Sequence, residues 1–177
     1  MSEISLNLRS EELGILKRRT EELARSALQD GELLGAKIDF LMFTINGERY
    51  ALEKHYVQEV HSEVRPVFVP CVPGFIKGIV NVRGDILSVM DLAAFIGYPE
   101  LQAKEEYPMF RLKQGELDFG VLVESIEDIY PMNREDIHPY EVSDNNHLNR
   151  FLLGVTHDMV HVLDGDGLLN DETLIVK

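Results

Sequence analysis

Beyond residue 37 the chain is written in short apolar runs separated by turn residues, a pattern that predicts β-strands. IDFLMFTINGERYAL places two strand-like runs around Asn46-Gly47, the strongest short hairpin signal. YVQEVH, from Tyr56, predicts a short strand. RPVFVPCVPGF carries prolines at 66, 70 and 73 and should be extended and irregular. GIVNVRGDILSVMDL predicts strand, turn, strand, with Gly84-Asp85 at the bend. LAAFIG predicts a helical turn or two closed by Gly97.

The plan recurs from residue 107. YPMFRLKQGELDFGVLVESIEDIYP predicts two strands around Gln114-Gly115 and then a third. RFLLGVTHDMVHVLDGDGLLND predicts strand, turn, strand and a short helical end. Segments 99–107 and 132–150 are polar and read as loops. Before residue 37 the period changes. Leu13, Leu16, Thr20, Leu23 and Ala27 share one face of a helix over 10–29, with Ser10 as N-cap. The stripe is short for a coiled coil, so a helix packed on its own domain is the simpler reading. Residues 1–36 are thus a helical extension and linker, and 37–176 a β domain.

The two halves of that domain resemble each other. Phe43 matches Phe110, GERYAL matches GELDFGV, and VQEV at 57–60 matches IEDI at 126–129. ILSVMDLAAFI matches MVHVLDGDGLL without a gap, placing Asp91 over Asp164. The offsets are 67, 69 and 73, in one shared order, which predicts two similar all-β units of roughly 60–70 residues each. Units that small bury little apolar surface. Closing each into a barrel removes its edges, and packing the barrels together adds an apolar seam.

Composition narrows the class. At 45% apolar and 27% charged, the chain is an ordinary globular sequence, and no apolar run approaches a membrane span. The first residues lack the pattern of a secretory signal, and a single cysteine, Cys71, fits a reducing cytoplasm. With 17 basic and 31 acidic residues the net charge is −14, which excludes phosphate-led nucleic-acid binding and attraction to anionic membranes. The acidic excess fits either plain solubility or a protein partner with a basic surface.

Candidate chemistry is thin. HDMVH, His157 to His161, has the spacing of a zinc helix, but on a strand four residues span about 13 Å and could not share one ion. DGDGLLND from Asp164 lacks the glycine and the final glutamate of a calcium loop. No phosphate-binding or nucleophile motif occurs. Cys71, between prolines and far from basic residues in sequence, reads as a buried or neutral thiol. His55 and His61 read as surface or strand residues. Arg83-Gly84-Asp85 is neither an adhesion motif, given the compartment, nor a phosphate cradle, since a strand follows it.

Together, ERYAL, YVQEV and VPCVPGFIKGIVNVRGDILSVMDLAAFIG resemble the CheW-like coupling domain of bacterial chemotaxis, over about 38–172. The resemblance implies a double five-stranded β-barrel with SH3-like subdomains, to which this chain adds the N-terminal helix and short helices. It implies a cytoplasmic adaptor, not an enzyme, without cofactor or metal. Such a protein links the cytoplasmic tips of methyl-accepting receptors to the regulatory domain of the histidine kinase CheA. It is recruited to receptor arrays at the inner membrane, without inserting there and without nucleic acid. The family's binding residues carry over to Glu59 and Arg83, accompanied by Val57, Asn81 and Gly84. Glu59 and Arg83 are expected to approach each other. Asp91 is expected to cap the helix after it. Ser88 stands where the family commonly has proline and restores a backbone N–H. Two alternatives stay open: a coupler for a non-flagellar pathway such as surface motility, and a metal- or small-molecule-binding β protein using His157 and His161.

Overall fold

The structure, a computed structural model, describes residues 37–140 and 147–174. The helix expected over 10–29 lies outside the described residues. The strands are β1 (Ile38–Ile45), β2 (Glu48–Glu53), β3 (Val57–Val64), β4 (Ile76–Val82), β5 (Asp85–Asp91), β6 (Tyr107–Gln114), β7 (Leu117–Leu122), β8 (Ser125–Met132), β9 (Leu152–Val155) and β10 (His161–Leu163). Two short helices, α1 (Leu92–Phe95) and α2 (Gly165–Leu169), follow β5 and β10. Among the described residues, no helix is long and apolar enough to cross a membrane.

The strands form two five-stranded sheets, ordered β8-β1-β2-β10-β9 and β3-β6-β7-β5-β4. The orders are identical once each strand is replaced by the one five places along the chain. The repeat is real, but its halves are not the separate units expected. The first hairpin of each half crosses over and joins the last three strands of the other half, through the parallel pairs β2·β10 and β5·β7. The exchange makes one 140-residue core out of two repeats too small to bury much alone.

Register refines the alignment. Leu41 pairs with Ile129, and Phe110 pairs with Val60, so Phe110 is equivalent to Leu41 at an offset of 69. Phe43 is therefore not the counterpart of Phe110. The two rings instead meet across the seam, 5.1 Å apart, at the centre of a cluster drawn from both sheets. A smaller cluster, Phe40, Met42, Ala51, Val160 and Val162, packs separately within the first sheet.

Both sheets close into barrels in the same way. After β3 the chain returns to the far edge and pairs Val67 with Ile79; after β8 it pairs His138 with Val155. Each closure sits on a glycine. A Cβ on Gly78 would lie 2.1 Å from the Val67 carbonyl oxygen, and one on Gly154 would lie 2.3 Å from that of His138. Closure pairs backbone groups that an open edge would leave unmatched. Asp91 and Asp164 cap the two helices: their carboxylates accept from Ala94 N–H at 3.2 Å and Gly167 N–H at 3.1 Å. Asp91, fully buried, also accepts from Leu101 N–H at 2.9 Å. Ser88 lies on an interior strand, paired with Ile79 on one side and Phe119 on the other.

Candidate functional site

The β4–β5 hairpin bends at Arg83-Gly84, because Val82 pairs with Asp85. The bend thus sits one residue earlier than the sequence suggested. A tight two-residue turn of this hand needs positive φ at both positions. Gly84 supplies one at 99°, and Arg83 itself supplies the other at 52°. The Asn81 side-chain oxygen accepts the Gly84 N–H at 2.9 Å and helps hold the loop. Left-handed backbone costs a non-glycine residue about 1 kcal/mol. The cost is borne where the chain displays a side chain: that of Arg83 is 86% exposed.

The shift of the bend also moves Asp85 into strand, where it meets Arg111. Arg111 lies on the inward face of β6 with its side chain only 7% exposed. It donates to both oxygens of Asp118, at 2.6 and 2.7 Å, to Glu59 at 2.9 Å and to Asp85 at 3.1 Å. Lys113 approaches Asp118 at 3.1 Å, and His61 approaches Glu59 at 3.4 Å. Charge-assisted bonds of this length are the strong class. The bond from Arg111 holds the Glu59 carboxyl below the usual carboxylate range, and the same guanidinium does so for Asp118. Asp118 first, then Glu59, pushes the Arg111 guanidinium further toward its charged form.

The expected pair, Glu59 and Arg83, does approach, but at 3.9 Å and in second place to Arg111. Glu59 is therefore fixed from behind, while Arg83 stays largely solvated. Asn81 and Gly84 belong to the same hairpin. Val57 does not join them: it packs against the core, opposite Leu112. Exposed Ile86, 69% accessible, pairs with Asn81 beside the turn, and Val60 follows Glu59 on β3. A fixed carboxylate beside a displayed guanidinium offers paired charges to a partner's polar groups. Sequence reasoning missed Arg111, Asp118 and Asp85. A signal existed: an arginine at an inward register of the apolar strand YPMFRLKQ demands a buried counter-charge.

The zinc reading on His157 and His161 does not survive. His161 is buried in β10 against Tyr50, with Glu48 3.7 Å away, whereas His157 sits in the turn before it and faces His138. No group of three or more His, Cys, Asp or Glu able to hold a metal occurs among the described residues. Cys71, expected buried or neutral, is exposed in a turn with φ of 61°.

Comparison with known proteins is consistent with this architecture. The CheW-like domain model matches residues 39–173. A chemotaxis protein CheW of Klebsiella aerogenes is 29% identical over 109 residues, covering 62% of this chain and 64% of that protein, under two thirds of its length. A chemotaxis protein CheW of Bacillus subtilis is 22% identical over 136 residues, covering 75% and 87%. The crystal structure of the scaffolding protein TtCheW from Thermoanaerobacter tengcongensis superposes with a TM-score of 0.62 at 23% identity, over 72% of this chain and 88% of that one.

Proposed function

The chain belongs to the CheW-like family of non-enzymatic adaptors, and from that premise we propose that it couples chemoreceptor signalling tips to the regulatory domain of CheA. The observation that carries the proposal is the asymmetry of the Glu59 site. Glu59 is anchored by buried Arg111, and Arg83 is held on a strained, bonded turn yet left exposed. A fixed backbone spares the cost of ordering the turn on binding, and the solvated side chain is available to a partner carboxylate. Glu59 and Arg83 form the receptor-facing surface, with Asn81 and Gly84 setting the turn and Val57 supporting β3 from the core side. Residues 37–176 are the coupling domain, residues 1–36 an extension that braces it or touches a partner, and the protein works in the cytoplasm at receptor arrays.

The test is a binding titration of the full chain against a purified kinase regulatory domain and, separately, a receptor signalling tip. Arg83→Asn keeps a residue that favours left-handed backbone while removing the guanidinium. It should weaken receptor binding by about tenfold or more, the loss of one well-placed ionic contact. Binding of the wild-type chain to neither partner would end the adaptor reading. Deleting residues 1–36 and measuring both stability and kinase binding separates a brace from a contact.

A further inference from the structure

The geometry points to a two-histidine site for a divalent transition metal at the closure of the first barrel, formed by His138 and His157. Their Nε2 atoms lie 3.2 Å apart, with ring centroids 4.7 Å apart and planes at 66°. Two imidazoles on one tetrahedral zinc, each at about 2.0–2.1 Å, have nitrogens about 3.3 Å apart. The observed spacing matches that requirement.

The backbone explains why the rings converge. His138 and Val155 exchange both backbone hydrogen bonds, each 2.9 Å long, in the bridge that closes the barrel. His157 follows two residues later, in the turn beyond the end of β9, with its ring facing that of His138. The turn that carries His157 is itself tied. Thr156 N–H donates to the Val160 carbonyl at 3.0 Å, Met159 N–H to the Thr156 carbonyl at 3.0 Å, and Val160 N–H to the Thr156 hydroxyl at 3.2 Å. Gly154 permits the approach, since any side chain there would strike the His138 carbonyl. The two rings also touch each other, their Nε2 atoms sharing one hydrogen bond that a bound ion would replace.

Imidazole pairs select zinc, nickel and copper over magnesium and calcium, which prefer oxygen. Asp136, the nearest carboxylate in sequence to His138, is engaged by Asn133 at 3.0 Å. With no third ligand of the set among the described residues, two positions remain for water. His157 lines a surface cavity of about 490 Å3 together with Arg49, Asp136, Thr156 and Asp158, whereas His138 lies outside that lining. The site is independent of the Glu59–Arg111 cluster, which draws on the other barrel, so its presence or absence leaves the adaptor proposal untouched.

The test is calorimetric titration of the untagged full chain with zinc chloride, with Arg83→Asn unnecessary and His55→Gln as the histidine control. One zinc per chain is expected, unchanged in His55→Gln. Loss of one ligand in His138→Gln or His157→Gln should weaken binding by roughly tenfold or more. Folding of each variant is checked by its thermal midpoint in chelator. Side-chain nitrogen NMR of the wild type gives a second reading that needs no variant: zinc should shift the resonances of these two histidines. No saturable binding up to about 0.1 mM zinc overturns the proposal. So does binding retained in both glutamine variants, or shifts confined to other histidines.

Discussion

Replacing Arg111 by methionine keeps most of the apolar stem of the side chain and removes the guanidinium, with its charge and donors. Arg111 makes four hydrogen bonds to three carboxylates, the two to Asp118 being the shortest. Removing one partner of a buried ion pair costs about 3–5 kcal/mol when the other is left stranded. The carboxylates here are not fully stranded. Asp118 keeps Lys113 at 3.1 Å, Glu59 keeps His61 and Arg83, and Asp85 is 64% exposed and rehydrates. The expected loss is therefore about 2–3 kcal/mol, below the full buried value. At an m-value of about 2 kcal/mol/M, the urea midpoint falls by about 1–1.5 M. The same variant should flatten the acid limb. Glu59 and Asp118 have folded pKa values depressed below their unfolded values, chiefly by Arg111. Their contribution is thus fully present above the unfolded values, near pH 4, and is lost as pH falls through the folded ones. Without Arg111 the fall in stability below about pH 4 should be shallower. A midpoint change under about 0.3 M, or an unaltered acid limb, would refute the assignment of Arg111 as the electrostatic anchor.

Three further outcomes follow from named contacts. Arg83→Asn should leave stability within about 0.5 kcal/mol of wild type, because the 3.9 Å pair is exposed and Asn-Gly favours this turn; a loss beyond about 1 kcal/mol in urea would contradict that. Asp91→Ala strands the Ala94 and Leu101 amides, while Lys77, 3.5 Å away, keeps its shorter bond to Glu100; the change should cost about 2–4 kcal/mol, read from the thermal midpoint. Gly154→Ala should open the barrel closure, costing about 1–3 kcal/mol by overpacking, with faster hydrogen exchange at the His138 and Val155 amides than elsewhere; uniform exchange would count against local opening.

The β-strands were legible as short apolar runs separated by turn residues, several of them buried on both faces. Asn46-Gly47 marked its hairpin without help, and Asp91 marked its helix. The strand exchange was not legible, since apolar periodicity says which residues turn inward but not which sheet receives them. The same limit explains the Phe43–Phe110 match: two phenylalanines in similar strands align by type, while only cross-strand pairing shows that their equivalence is off by two residues. Arg83 was identified through its motif, and its partner Glu59 with it. The stronger partner, Arg111, lies 52 residues from Glu59 and becomes adjacent only when β6 pairs with β3.

That pairing gives the exchange a functional consequence. Glu59, Arg83 and Asp85 come from the first half of the repeat, and Arg111 and Asp118 from the second. Arg111 stands on β6, the strand that crosses into the other half's sheet, and pairs there directly with Glu59. A chain whose halves folded separately would leave Glu59 with only His61 and the weak contact to Arg83, and Asp85 without a buried counter-charge. The proposed recognition surface is therefore a product of the crossover and not of either repeat. Its charges report on whether the two barrels have assembled, since the anchoring guanidinium reaches the partner face only in the completed fold. Long-range pairing of this kind is slow to form and cooperative once formed. An adaptor built this way offers its binding face as a whole or not at all.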